Sequence, residues 1–469
     1  MSRFHVVGVG GPGMSAIAIV LVQMGHVVSG SDIRESPVLD SLRALGVHIN
    51  IGHDTSVVLG CDAVTASSAI PSDNIELESA RQHKIKVLTR AQMLADICSK
   101  KSSIGVAGTH GKTTTAAMLM LMLMDADMHP SFIIGGDVAD VDTGARWSTG
   151  PMLVVEADES DGTHRQLPLA GTILTNIDID HLDHFGNLEG ILAGFDGYLT
   201  GISGPKVLCS DDVRCAQLAR KHQVITYGII SDAQVKAVRI NFEHGACEFD
   251  VDRRDDDGSE YHTLGRVVVP LRGEHNVLNA LAALTMAMAL GVSFDSAVRT
   301  LGNFGGVARR FDHRGIDAGV TFVDDYAHLP AEISAVLIGA RDTSDSWKRI
   351  VAVFQPNRYN RMAVLSPAYA DSFIAADVVV ITDIYPSGTT PIPGVTGKLV
   401  VNAVLESHPR AHVVWLPHRA QLVDYLTAEL RQGDLCISMG CGDITNLPAE
   451  VIARRTQLRD ADQTKTLAR

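Results

Sequence analysis

Among the 469 residues there is no CxxC pair, no HExxH string, no internal repeat and no low-complexity tract. The seven cysteines (Cys61, Cys98, Cys209, Cys215, Cys247, Cys436 and Cys441) are dispersed. An odd, scattered set in a long chain excludes a disulfide scaffold and reads as reduced thiols in a cytoplasmic protein. The most apolar helix-like run, Ala116 to Met124, falls short of the about 20 residues that a membrane span requires. The opening MSRFHVVGVGGPGM lacks a basic stretch followed by a long apolar core, so no signal peptide is expected. Positive charge is not in excess either. Asp and Glu number 54 against 40 Lys and Arg, a net −14, which argues against nucleic-acid or membrane partners. A phosphorylated ligand remains compatible with that balance, because local donors rather than net charge hold phosphates.

What is present is an α/β pattern. Three strand-then-glycine openings occur, at 4–14, at 103–115 and in a third region from about 320 that contains the apolar strands Ile350–Phe354 and Val378–Ile381. Continuous β-branched runs fit strands covered on both faces in a parallel sheet. Helices are expected over 14–24, 113–124, 276–290 and 331–341. Charged breaks at Lys100–Ser103 and Arg309–Gly315 divide the chain into segments 1–100, 101–313 and 314–469. Between 230 and 270 the pattern alternates and turns polar, with 252–260 as a hairpin tip, so the middle segment is expected to carry some antiparallel strands. The polar tail from Arg454 is expected to fray.

Gly108-Thr109-His110-Gly111-Lys112-Thr113-Thr114 follows the strand Ile104–Ala107 and opens a helix. That is the setting of a nucleotide phosphate loop, in which backbone N–H groups and a helix N-terminus face anionic oxygens. Lys112 is suited to the β- and γ-phosphates, and a hydroxyl of Thr113 or Thr114 to Mg²⁺. Against the usual GxxxxGK(S/T) spacing, the span from Gly105 to Gly111 is one residue longer. After the strand Met152–Val155 come Glu156, Asp158, Glu159 and Asp161; after Gly171–Leu174 come Asp178, Asp180, His181, Asp183 and His184. Clustered oxygen donors at strand ends repel one another unless a cation or donors sit nearby, and they suit Mg²⁺. Near the N-terminus, Gly8, Gly10, Gly11 and Gly13 close a strand-to-helix turn, with Ser31-Asp32 at the next strand end, roughly 20 residues on. This fits a diphosphate site of some kind.

Taken together, the strings GVGGPGMSAIA, SGSD, SSAIP, GTHGKTTT, EADESDG, TNIDIDHLDHFG, GEHNVLNALAA, RRFD, VDDYAH, FQPNRY and TDIYPSG resemble the Mur ligases over residues 4–450. The resemblance implies three α/β domains: a Rossmann-like domain for a UDP-sugar, a central ATPase domain and a C-terminal Rossmann-like domain for an amino acid. It also implies a reaction. ATP would phosphorylate the lactyl carboxylate of UDP-N-acetylmuramate, and the amine of L-alanine would then displace phosphate, in the cytoplasm, on a monomer or weak homodimer. Carried over by position, Lys112, His328, Arg358 and Arg361 would be catalytic. Gly108 to Thr114, His275, Asn276, Asn279, Arg310 and Asp324 or Asp325 would meet ATP. Thr113, Glu156 and His181 would hold Mg²⁺. The UDP-sugar would be held by Gly10, Gly11, Gly13, Met14, Ser31, Asp32, His53, Ser67, Ser68 and Asp158, while Tyr326, His328, Arg358 and Arg361 would surround the amino acid and acyl groups.

Departures from the family pattern fall near the amino-acid side: Leu329 stands where the family string has a second histidine, and Asn357 and Asn360 stand in FQPNRYNR. No lysine occurs between Leu182 and Pro205, so a carbamylated lysine at a second metal is not expected. Three other readings compete. A recycling ligase that attaches a tripeptide to the same sugar nucleotide would need a roomier C-terminal pocket and usually departs from the GGPGMS string. An NAD-dependent oxidoreductase would explain the first glycine loop but not GTHGKTTT. A non-catalytic regulatory paralogue has no use for intact Lys112, Glu156 and His181. Because candidate residues come from three segments, a large domain closure is expected as well.

Overall fold

The computed structural model describes residues 1–467 except 68, 160, 180–184, 256–257 and 342–346, with side chains described to residue 461. Two compact units emerge. The first comprises Met1–Ile240, Glu248–Pro270 and Asn276–Val307; the second comprises Asn241–Cys247, Leu271–His275 and Ala308–Arg469.

Two sheets build the first unit. The N-terminal sheet holds β1 (Arg3–Val7), β2 (Val27–Asp32), β3 (His48–Ile51), β4 (Ala63–Ala66) and β5 (Lys86–Thr89), all parallel, in the order β3-β2-β1-β4-β5. The order reverses between β1 and β4, and ligands of such sheets bind outside the strand C-termini at that switch point. The first glycine loop leaves β1 there, and Pro12 at the start of helix Pro12–Gln23 presets its first turn.

The second sheet has ten strands: β6 (Ser102–Ala107), β7 (Ser131–Val138), β8 (Thr143–Arg146), β9 (Met152–Glu156), β10 (Gly171–Leu174), β11 (Lys206–Cys209), β12 (Ile225–Gly228), β13 (Val235–Glu243), β14 (Ala246–Arg254) and β15 (Tyr261–Val269). Their order is β15-β14-β13-β12-β11-β10-β6-β9-β7-β8, with β6 paired in parallel to β9 on one side and β10 on the other. Antiparallel structure enters where β8 pairs with β7. Strands β13 and β14 are joined through His244-Gly245, both at positive φ, as a two-residue hairpin turn demands. Helix Lys112–Asp125 is buried continuously from Thr113 to Leu123, so it runs through the core of this unit rather than along its surface. One apolar cluster joins both sheets, running from Val6 and Met14 through Ala107 and Leu153 to Leu199. Across it, Arg90 pairs with Asp158 at 3.2 Å and Asp161 at 3.4 Å.

In the second unit β16 (Asp312–Asp317), β17 (Val320–Asp325), β18 (Arg349–Phe354), β19 (Val378–Ile381), β20 (Val413–Trp415) and β21 (Asp434–Met439) form a sheet of order β16-β17-β21-β18-β19-β20. Only β16–β17 is antiparallel. Two sequence expectations are corrected here. The break placed at 313/314 falls inside β16, because the preceding residues are bound into this unit: Arg309 Nε reaches Asp324 Oδ2 at 3.1 Å, and the Phe311 N–H donates to Asp325 Oδ2 at 2.7 Å. The tail expected to fray from Arg454 is helical there, since the last helix runs Leu447–Leu467. Arg455 and Arg459, one turn apart, both grip the buried Asp317, with Arg455 Nε 2.7 Å from Oδ2.

Candidate functional site

Strand β6 delivers the phosphate loop between its two parallel neighbours, with the end of β9 on one flank and the end of β10 on the other. Gly108 takes φ +121° and a Cβ there would stand 2.3 Å from Thr175 Oγ1; Gly111 takes φ +80° and a Cβ would stand 2.3 Å from Asn279 Oδ1. Only glycine fits either position. The loop is braced from β10. The Thr109 N–H donates to Asn176 O at 3.1 Å, the His110 N–H to Asn176 Oδ1 at 2.8 Å, and the Asp178 N–H to Thr109 Oγ1 at 2.8 Å. His110 Nε2 lies 3.2 Å from Asp178 Oδ2; that hydrogen bond holds the Asp178 carboxyl below its usual range. The side chains of Thr109 and His110 thus support the loop.

Lys112 opens the helix, and no side chain caps that helix at Gly111. Its Nζ lies 3.1 and 3.2 Å from the two oxygens of Glu159 and also donates to Gly108 O. Burial works against the ammonium charge, but Glu159, Asp158 and Glu156 outweigh it and keep Lys112 firmly protonated. Burial pushes the Glu159 carboxyl up, with Lys112 opposing. Glu159, only 4% exposed, is the acid that sequence reasoning left undistinguished within EADESD. Its neighbours turn elsewhere: Glu156 Oε1 accepts the Gly135 N–H at 2.6 Å, and Asp158 meets Arg90.

Asn276 and Asn279 lie one helical turn apart on Glu274–Ala289, joined by a 3.0 Å hydrogen bond. Thr115 Oγ1 donates to Asn279 Oδ1 at 3.3 Å, so the pair backs the phosphate loop at Gly111 and Thr115. The consequence is measurable. Gly111→Ala is expected to destabilise the protein by about 1–3 kcal/mol more than Gly25→Ala. Both glycines hold positive φ, but only at Gly111 does an added methyl meet an obstacle within 4 Å. Denaturant midpoints compare the two, and equal losses would show that the Asn279 contact yields freely.

At the N-terminal switch point the Gly10 N–H donates to Asp32 Oδ2 at 2.9 Å, and the Gly8 and Val9 N–H groups both bond Ser31 O. Gly13 lies under Arg90, whose Nη1 a Cβ would approach to 3.1 Å. Two expected ligand contacts are corrected. Met14 is 1% exposed inside the core with its N–H bonded to Gly11 O, and the Ser31 hydroxyl is fully buried, donating inward to Glu76. Helix periodicity turns Met14 inward just as strand alternation turns Ser31 inward. His53 stays partly open, as does Ser67, which lines a cavity of about 370 Å³ together with Ile70, Arg81, Arg90 and Asp161. Ser68 and His181 lie outside the described residues. Among the described residues no group of three or more His, Cys, Asp or Glu side chains is arranged to hold a metal ion.

In the second unit the ends of β17, β18 and β21 bring together the other candidates. Asp325 is buried and accepts the Ala327 and Phe311 N–H groups, each at 2.7 Å; burial raises it to about 6 against the pull of Arg310. His275 is held near 4, uncharged, by burial and by Arg310. The guanidiniums of Arg309 and Arg310 stand 4.9 and 5.2 Å from the Tyr326 ring centre, and the His328 ring meets Tyr326 edge-on at 5.5 Å. His328 Nδ1 lies 3.2 Å from Glu332 Oε2. Arg358 adopts φ +59° at the start of helix Tyr359–Leu365, a conformation that L-residues rarely hold outside functional turns. Arg361 is 9% exposed and donates to Asn357 Oδ1 at 2.8 Å. The departure at Asn357 is therefore a support for Arg361. Cys441, one of the dispersed cysteines, lies among Arg361, Ser387, Arg309 and Arg358, its thiol raised by burial.

Three family models cover nearly the whole chain: Mur ligase family, catalytic domain, over 3–102; Mur ligase middle domain over 106–287; and Mur ligase, glutamate ligase domain, over 309–442. UDP-N-acetylmuramate–L-alanine ligases of Rubrobacter xylanophilus and a Bradyrhizobium species are 41% and 40% identical, over 96% of this chain and 100% and 97% of theirs. The solved UDP-N-acetylmuramate–alanine ligase of Thermotoga maritima superposes with a TM-score of 0.82 at 27% identity, over 97% of this chain and all of that one. A murein peptide ligase of Psychrobacter arcticus shares the fold, with a TM-score of 0.72 at 23% identity over 97% and 98%.

Proposed function

The chain belongs to the Mur ligase family, and we propose that it joins L-alanine to the lactyl carboxylate of UDP-N-acetylmuramate at the expense of ATP, in the synthesis of peptidoglycan precursor. The observation that carries this reading is the phosphate loop: a glycine turn on a parallel strand, an uncapped helix start and a part-buried, protonated Lys112. Together they make a cradle for a triphosphate. Thr113 and Glu156 would supply the hard oxygen donors that suit Mg²⁺, since Glu156 ends β9 opposite Val106 of β6, beside the loop. When bound, Mg²⁺ neutralises charge on the transferring phosphoryl group.

Chemistry follows in two balanced steps. A carboxylate oxygen of the muramyl nucleotide bonds the γ-phosphorus, and the β–γ bridging bond breaks to leave ADP and an acyl phosphate. The free amine of alanine then attacks the acyl carbon; the C–O bond to phosphate breaks, and one proton is lost from nitrogen. Lys112 counters the charge on the transferring group. Arg361 and Arg358 bind carboxylate and phosphate oxygens through their forked donors. Tyr326 forms a wall of the amino-acid side, Asn276 and Asn279 back the ATP site, and Gly10, Gly11 and Gly13 form the turn that holds the nucleotide diphosphate, with Asp32 bracing Gly10. His328, aligned by Glu332, takes up the amine proton. No described helix is long and apolar enough to cross a membrane, and a cytoplasmic monomer or weak dimer suits these soluble substrates.

A tripeptide ligase of the same sugar nucleotide is the rival reading. Identity of 40–41% to alanine ligases over 96% of the chain favours alanine. Phosphate release with ATP and UDP-N-acetylmuramate, offered alanine, glycine, serine or tripeptide, tests this. Alanine is expected to lead, with glycine and serine within about 200-fold, because one methyl or hydroxyl discriminates weakly. Turnover with tripeptide alone would overturn the assignment.

A further inference from the structure

One buried carboxylate has no part in the roles above. Glu76, the second residue of helix Ile75–Gln82, is fully buried in the N-terminal sheet's ligand end. Its Oε2 accepts from Ser31 Oγ at 2.6 Å and lies 3.1 Å from His53 Nδ1. Its Oε1 accepts the Asp54 N–H at 3.2 Å. From below, His5 Nε2 stands 3.5 Å from Oε2, and His5 Nδ1 lies 2.8 Å from Ser29 Oγ. A carboxylate removed from water persists only when donors replace the water. Burial raises Glu76, but His5, Ser31 and the Asp54 N–H outweigh it and hold the group below its ordinary value. The helix start adds to this, with Asn74 capping the N–H groups of Glu76 and Leu77.

The partners of Glu76 are what make it more than a stabilised charge. Ser31 holds the glycine loop, since its carbonyl accepts both Gly8 and Val9. His53 follows β3 on the same strand-end face and is 21% exposed. With Nδ1 engaged by the carboxylate, its other ring nitrogen is the one left for a ligand. One buried side chain therefore ties together the strand end beneath the glycine loop and a partly open imidazole.

We propose that Glu76 is a positioning residue for the sugar nucleotide: through Ser31 and His53 it fixes the loop and imidazole that receive the nucleotide's polar groups. The proposal rests on the N-terminal site being the UDP-sugar site. The test is steady-state kinetics of Glu76→Gln, which keeps shape and an acceptor but removes the charge. The KM for UDP-N-acetylmuramate is expected to rise about tenfold or more, since hydrogen bonds to a charged group are lost. At saturating nucleotide kcat should stay within about threefold, with KM for ATP and alanine unchanged. Calorimetric titration with UDP alone should weaken in parallel. A purely structural role would instead lower kcat or shift all three KM values together, and that result overturns the proposal, as does an unchanged nucleotide KM. His53→Gln guards against misfolding of the first variant, because an effect of Glu76 that runs through His53 makes the double variant less than additive. Full additivity also overturns the proposal. Wild-type protein that binds no UDP-sugar would sink the site reading itself, a distinct outcome.

Discussion

Lys112→Ala is expected to lower ATP-dependent phosphate release at least about a thousandfold while UDP-N-acetylmuramate still binds. Transfer of a phosphoryl group to a carboxylate brings two anions together, and Lys112 is the part-buried cation at the start of the helix that follows the loop. The glycine loop after β1, proposed for the sugar nucleotide, belongs to a different sheet. Removing Lys112 also strands Glu159, which is 4% exposed and loses its partner. A buried acid left unpaired costs about 3–5 kcal/mol, so stability falls as well. Adding Glu159→Gln to Lys112→Ala separates the two effects: melting temperature should recover and turnover should not. Loss of sugar-nucleotide binding with ATP turnover retained in Lys112→Ala would contradict the assignment of the two loops.

Arg361→Ala is expected to lower kcat/KM for alanine by about 100- to 1000-fold, with the KM values for ATP and UDP-N-acetylmuramate within about threefold of wild type. Arg361 is buried on helix Tyr359–Leu365 and aimed by Asn357, so little side-chain freedom is lost when its fork meets a carboxylate or acyl phosphate. Arg361→Lys should recover little, because an ammonium cannot reproduce two parallel N–H donors. Varying alanine at saturating ATP and nucleotide reads the effect. An altered KM for ATP with an unchanged one for alanine would move Arg361 to the nucleotide and away from the amine.

How far the site was legible depends on the range of the interactions involved. Helix Lys112–Asp125 and the strand Val378–Ile381 lie within a residue or two of their expected limits, because apolar runs and glycine punctuation are local signals. The tail was misread for the opposite reason. Its residues are polar, and what pins the helix at Arg455 and Arg459 is Asp317, more than a hundred positions earlier. In EADESD the acids are plain in the sequence, yet an irregular turn has no period from which to tell that Glu159 faces Lys112, Asp158 faces Arg90 and Glu156 faces Gly135. Met14 sits within the glycine fingerprint and still packs into the core, since the helix has begun by then.

By itself the sequence determined the three α/β segments, the family and the phosphate loop with its lysine. All of these are written in contiguous strings whose backbone geometry follows from glycine, β-branched runs and helix starts. Only the tertiary structure decided the partners: Glu159 for Lys112, Asn279 behind Gly111, Asn357 for Arg361, and Glu76 beneath Ser31 and His53. Such pairings join charges and hydrogen-bond donors from strands far apart in the chain, and burial sets their strength, so they exist only once the sheets have formed.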